Sequence, residues 1–120
     1  MKLIRQPEHS NLCGQACVAT IAGVSIEESI KAFGGTTGRT RTKQVIEAFS
    51  KLGVKCGDRL IRLSGRIKKS NFCIVKLHFQ NYKHTHWTVY YNSLFYDPDI
   101  GILQDYPEGV RQTSFLPIYL

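Results

Sequence analysis

Hydrophobic periodicity changes once along this chain, near its midpoint, and that change restricts the folds open to it. Before Gly53 the apolar residues recur three or four apart; from Phe72 onward they come in short β-branched and aromatic runs. Helices first and strands second, without alternation, argue against a parallel βαβ arrangement. They predict an α+β fold in which N-terminal helices pack on a C-terminal antiparallel sheet. At 120 residues the chain has room for one such core and not two, so residues 1–120 read as a single domain.

The helical half carries its own punctuation. From Asn11 the run through Ala16, Val18, Ala19, Ile21 and Ala22 is apolar almost all round, which predicts a buried helix stopping at Gly23. In "SIEESIKAFGG", Ser25 and Glu28 make a capping box, Ile26, Ile30 and Phe33 give an apolar face, and Gly34 ends the helix. Thr40 or Thr42 is expected to cap "KQVIEAFSKLG", with Val45, Ile46, Phe49 and Leu52 on one face and Gly53 at its end. Beyond it, "FCIVKLHF" at 72–79 predicts a central strand, and "HWTVYY", a turn at Asn92 and Ser93, and "LFYD" predict a hairpin. Shorter strands are expected over 54–56, 60–63 and 115–119.

Charge narrows the partners. Lys and Arg outnumber Asp and Glu by 16 to 9, a net charge of +7 that favours something acidic. Only Arg59 to Lys69, "RLIRLSGRIKK", is dense enough for a patch; the other cations are spread as on a solvated face, so nucleic acid is not the expected partner. No apolar run is long enough to span a membrane, and the N-terminus lacks the apolar core of a signal peptide. The expectation is a soluble protein that acts in the cytoplasm or is delivered into a target cell. "GGTTGRTRT" gathers glycine and threonine but has neither the P-loop spacing nor its lysine, Arg39 standing there instead. Cys13 and Cys17 form one loose pair while 16 residues separate Cys56 from Cys73, so the two close pairs of a zinc site are missing. With 42% hydrophobic residues the chain can build a core without disulfides. No cofactor and no metal is expected.

The chemistry gathers around "SNLCGQACVAT". Cys13 stands where the first helix begins, where unpaired N–H groups and the positive end of the dipole favour a thiolate. Cys17 lies one turn deeper in apolar sequence, where burial raises a thiol pKa, and it reads as packing, as do Cys56 and Cys73. Gly14 is expected to leave the approach to the thiol open. A nucleophilic thiol needs a base, and His86 opens the first hairpin strand while Asp97 closes the second, so the hairpin sets their ends side by side. Asp97 can accept the ring N–H of His86 and stabilise the imidazolium. Pro98, with no N–H, fixes the chain direction after it. His78 in an apolar strand and His84 in a polar loop compete with His86, and Asp99 competes with Asp97, since "DPD" is also turn chemistry. Trp87 reads as core that could also screen the ion pair from water. An oxyanion needs donors, and Gln6, seven residues before Cys13, can supply a side-chain amide, with Asn11 and Gln15 as the other amides in reach.

These residues carry a resemblance. Gln6 followed by "CGQAC", then "GGTTGRTRTKQVIEAFSKLGV", "FCIVKLHF", "HWTV" and "YDPDIG" occur in the order found in the bacterial double-glycine leader peptidases and their wider papain-like cysteine peptidase relatives. The resemblance covers Gln6 to about Gly101. It implies a papain-like fold and a peptidase or related amide hydrolase working through an acyl-enzyme thioester. By similarity Cys13 is the nucleophile, His86 the base, Asp97 the orienting acid and Gln6 the oxyanion donor. The interval from Gln6 to Cys13 is one residue longer than in the leader peptidases and that from His86 to Asp97 is shorter, so substrate preference does not transfer. Similar compact domains serve as toxin or effector modules that cut, deamidate or cross-link proteins. For those, the implied partners are a peptide or protein substrate and an acidic inhibitor protein. A glutamine deamidase or a transglutaminase fits the same residues, and a non-catalytic basic binding module is the alternative from a different class.

Overall fold

Caps and period, rather than composition, decide where the helices lie. A computed structural model, describing residues 1–69 and 71–119, has α1 (Cys13–Ala22), α2 (Ile26–Ala32) and α3 (Thr42–Lys51) before all of its strands. Gly23 takes the left-handed conformation, φ 71°, and its N–H closes α1 on the Ala19 carbonyl. Ser25 caps α2 by accepting the Glu28 N–H at 3.1 Å. The cap of α3 differs from expectation. Arg41 holds the cap position, and its N–H is held by the Gln44 side chain at 2.7 Å, because Thr40 turns its hydroxyl toward Gly14 instead.

The strands are β1 (Lys55–Cys56), β2 (Ile61–Arg62), β3 (Cys73–Phe79), β4 (Thr85–Tyr91), β5 (Leu94–Asp97), β6 (Gly101–Leu103) and β7 (Val110–Tyr119). All pairings are antiparallel, in the order β1-β7-β3-β4-β5-β6, with β2 also on β7. The chain is therefore α+β, as the change of period predicts. Two elements exceed the sequence expectation: β6 is additional, and β7 begins at Val110 rather than near Phe115. A bulge between Lys76 and Leu77 shifts the β3–β7 register, and Thr113 there donates its hydroxyl to the Lys76 carbonyl.

Burial explains why β3 reads as a continuous apolar run. Ile74 packs with Val18, Phe49, Trp87 and Leu116 between the sheet and the helices. Its neighbours Cys73 and Val75 pack on the opposite face with Leu77, Tyr90, Phe95 and Tyr106. Each fully buried side chain of this size contributes about 1.5–3 kcal/mol. In α1 every residue from Cys13 to Thr20 is buried, so the helix that carries the thiol is also the centre of the helical layer. Asn92 and Ser93 both have positive φ, 51° and 65°, the turn that matches the twist of a two-residue hairpin. That hairpin delivers β4 and β5 to the N-terminus of α1.

Candidate active site

The sheet register brings His86 to Asp97. Val89 pairs with Tyr96, and continuing by one pair sets Thr88 opposite Asp97. His86, two residues earlier on the same face, lies diagonally across from that carboxylate. Its Nε2 is 3.1 Å from both carboxylate oxygens, which leaves the other ring nitrogen free of Asp97, and the imidazole lies near enough to the Cys13 thiol to lower its pKa. Nε2–H donates to Asp97.

Asp97 is fully buried and saturated with donors. Its Oδ1 accepts the backbone N–H groups of Asp99 at 2.8 Å and Ile100 at 3.0 Å, and its Oδ2 accepts the Tyr106 hydroxyl at 2.5 Å. One residue thus closes the turn after β5 and holds the imidazole; Asp99 is exposed and faces neither task. Tyr106 has a single proton, spent on Asp97, so Thr88 at 2.9 Å donates to the phenol oxygen. Sequence reasoning missed Tyr106. The one signal was a tyrosine in the polar stretch "QDYPEG", since a buried phenol must find a partner, but the partner is set by the fold.

Cys13 is the first residue of α1, behind Leu12, which gives no side-chain cap. The first-turn N–H groups are therefore free to act on the thiol. Burial alone would raise the Cys13 pKa, but the hydrogen bond and charge of His86, with the N–H groups of Trp87 and Gly14, bring it below the ordinary value. Burial likewise opposes the imidazolium, yet Asp97 and Cys13 lift His86 to about 10. Asp97 would be raised by burial and is instead lowered by His86, Tyr106 and the Ile100 N–H. The three groups favour a thiolate, an imidazolium and a carboxylate side by side. Cys17 is buried and pushed well up by desolvation and by the charges of Cys13 and Asp97, and Cys73 is pushed up to about 12 by burial. All four cysteines are free thiols.

The thiol and imidazole open into a cleft of about 400 Å³ that Gln6, Asn11, Arg39, Phe79 and Tyr82 also line. Phe79 covers the imidazole edge to face at 5.6 Å, whereas Trp87 packs in the core cluster that also holds Cys13. Gln6 is in the cleft with Cys13, its N–H bonded to the Pro98 carbonyl at 2.9 Å. Its amide nitrogen contacts the Ser10 carbonyl at 2.9 Å and the Ser10 hydroxyl at 3.3 Å. Gln15 has both amide protons on the Thr36 and Gly38 carbonyls and cannot serve the thiol. Asn11 and His84 are exposed at the rim, and His78 is half-buried on β3 away from Asp97. Gly14 corrects the expectation placed on it: a Cβ there would come within 2.2 Å of the Thr40 hydroxyl and 3.3 Å of Trp87, so the missing side chain makes room for the protein and not for a substrate.

No protein-family model matches the chain, and no curated protein sequence matches it.

Proposed function

We propose that this protein is a cysteine-dependent amide hydrolase of papain-like fold, a peptidase using Cys13, His86 and Asp97. One observation carries the reading: a thiol at a helix N-terminus meets an imidazole held by a fully buried carboxylate, and both open into a peptide-sized cleft. The thiolate sulfur attacks the carbonyl carbon of a peptide bond, and the developing oxyanion takes the Cys13 backbone N–H and the Gln6 amide. Gln6 provides that amide by giving up its longer bond, 3.3 Å, to the Ser10 hydroxyl. The imidazolium proton passes to the departing amine as the C–N bond breaks, leaving a thioester on Cys13. His86 then takes a proton from water, which attacks the thioester and releases the acid and the thiol. Asp97 keeps Nε2 protonated and stabilises the imidazolium throughout. An amine in place of water would make the same site a cross-linking enzyme, and a glutamine side-chain donor would make it a deamidase.

The test uses p-nitrophenyl acetate as a substrate that asks only for an activated thiol. A burst of nitrophenol with an acetyl group found on Cys13 by mass spectrometry is expected, absent in Cys13→Ser and slowed in His86→Ala. Acetylation elsewhere, or equal rates in all three proteins, would overturn the proposal. A peptide library then reads the cleavage preference.

A further inference from the structure

A larger cavity than the one at Cys13 lies elsewhere among the described residues. A groove of about 580 Å³ lies between the strap after β2 and the start of β7, with Arg62, Arg66 and Arg111 around it and Leu63, Tyr106 and Val110 as its apolar lining. It includes part of the dense basic stretch that the proposed reaction does not use. Arg66 pairs with Asp105, an exposed ion pair that another carboxylate can displace at little cost. Arg62 and Arg111 meet no carboxylate among the described residues.

We propose that this groove docks an acidic, partly apolar peptide segment of another protein, and that its occupancy is transmitted to Cys13 through Tyr106. Charge complementarity selects the occupant. Asp105 and Glu108 also line the groove, so a nucleic-acid backbone with a charge at every residue would be repelled there, whereas a peptide can alternate carboxylates with apolar side chains. The transmission is a chain of named bonds. Asp105 binds Arg66 with one oxygen and the Tyr106 N–H with the other at 2.8 Å, and the Tyr106 hydroxyl donates to Asp97, which holds His86. A carboxylate that takes Arg66 frees Asp105, loosens Tyr106 and withdraws a donor from Asp97. The carboxylate then holds the imidazolium more strongly, and the thiolate is favoured. Tyr106 acts here as a positioning residue.

The groove's role rests on the proposed thiol chemistry only in its readout, and the two parts are tested apart. A fluorescein-labelled octapeptide alternating glutamate and leucine is titrated into the full chain by anisotropy, with labelled octathymidylate in parallel. Saturable peptide binding, at least about tenfold weaker in Arg62→Gln/Arg111→Gln, is expected, with octathymidylate weaker than the peptide. No saturable binding, binding indifferent to the double variant, or tighter octathymidylate overturns the proposal. Carboxamidomethylation of Cys13 at pH 7 is then followed with and without saturating peptide. An increase of about threefold, the effect of half a pH unit, is expected. Tyr106→Phe is expected to reach that rate without peptide and to ignore it. An unchanged wild-type rate overturns the transmission, and an ordinary basal rate at Cys13 overturns the proposed function while the anisotropy still reads the groove.

Discussion

At the scale of single residues, Asp97 is the member on which the others depend. It accepts bonds from His86, Asp99, Ile100 and Tyr106 while fully buried, so its replacement disturbs a turn, an ion pair and a phenol together. Asp97→Asn puts a donor where only acceptors are wanted and is expected to cost about 3–5 kcal/mol, measured by urea unfolding. Because the folded-state pKa of Asp97 lies below its ordinary value of 3.8, its stabilisation is present above that value and is lost as pH falls through the folded value. Thermal melts should therefore be flat from pH 6 to about 4 and fall below it, with a shallower acid limb in Asp97→Asn. The thiol has its own signature. Cys13 is expected to alkylate with a midpoint under the ordinary 9.0, moving up in His86→Ala, which should also lose about 10²–10⁴-fold in turnover. An unshifted midpoint in the variant would remove His86 from the site. The meeting of Cys13, His86 and Asp97 in space was legible in the sequence because each sits at an element boundary with its own local mark. Tyr106 was not, since nothing within "QDYPEG" says which carboxylate the phenol will meet.

At the scale of elements, the positions of the helices were legible because their determinants are local, the cap of α3 at Arg41 being the exception. Ser25 with Glu28 and the glycine after α1 specify their ends within a few residues of sequence. Ser25→Ala is expected to cost about 1 kcal/mol and to lower the melting temperature by several degrees without touching Cys13 reactivity. Loss of Cys13 reactivity in that variant would mean that α2 positions the site. Gly14 makes the contrasting case. Gly14→Ala forces Thr40 and Trp87 away from the first turn of α1, so Cys13 alkylation should slow together with stability, and a variant with native reactivity would show the contact to be soft. The strands were most legible where burial on both faces produced an apolar run, although the short β1 and β2, which are not buried, were also expected, over 54–56 and 60–63. "FCIVKLHF" has that character, whereas "VRQTS" at the start of β7 mixes polar side chains with a bulge, and β6 is three residues long. Their pairing comes from partners distant in sequence, which no local window contains.

At the scale of the whole molecule, the site belongs to neither layer. Cys13 and the first-turn N–H groups come from the helices, and His86 and Asp97 come from the sheet. Trp87 joins the two, since it belongs to the sheet strand β4 and packs among helical residues in the cluster that holds Cys13. Gln6 adds a further join, since the N-terminal segment bonds to Thr20 of α1 through Ile4 and to the turn after β5 through Gln6 and Arg5. The thiol should therefore keep its enhanced reactivity only while both layers are packed together. The check is to follow Cys13 alkylation and far-ultraviolet circular dichroism through one urea titration. Coincident midpoints are expected of a single cooperative unit of this size. An alkylation midpoint at clearly lower urea would mean that the layers part before either unfolds. The cleft would then be a hinge, and the thiolate a property of its closed form.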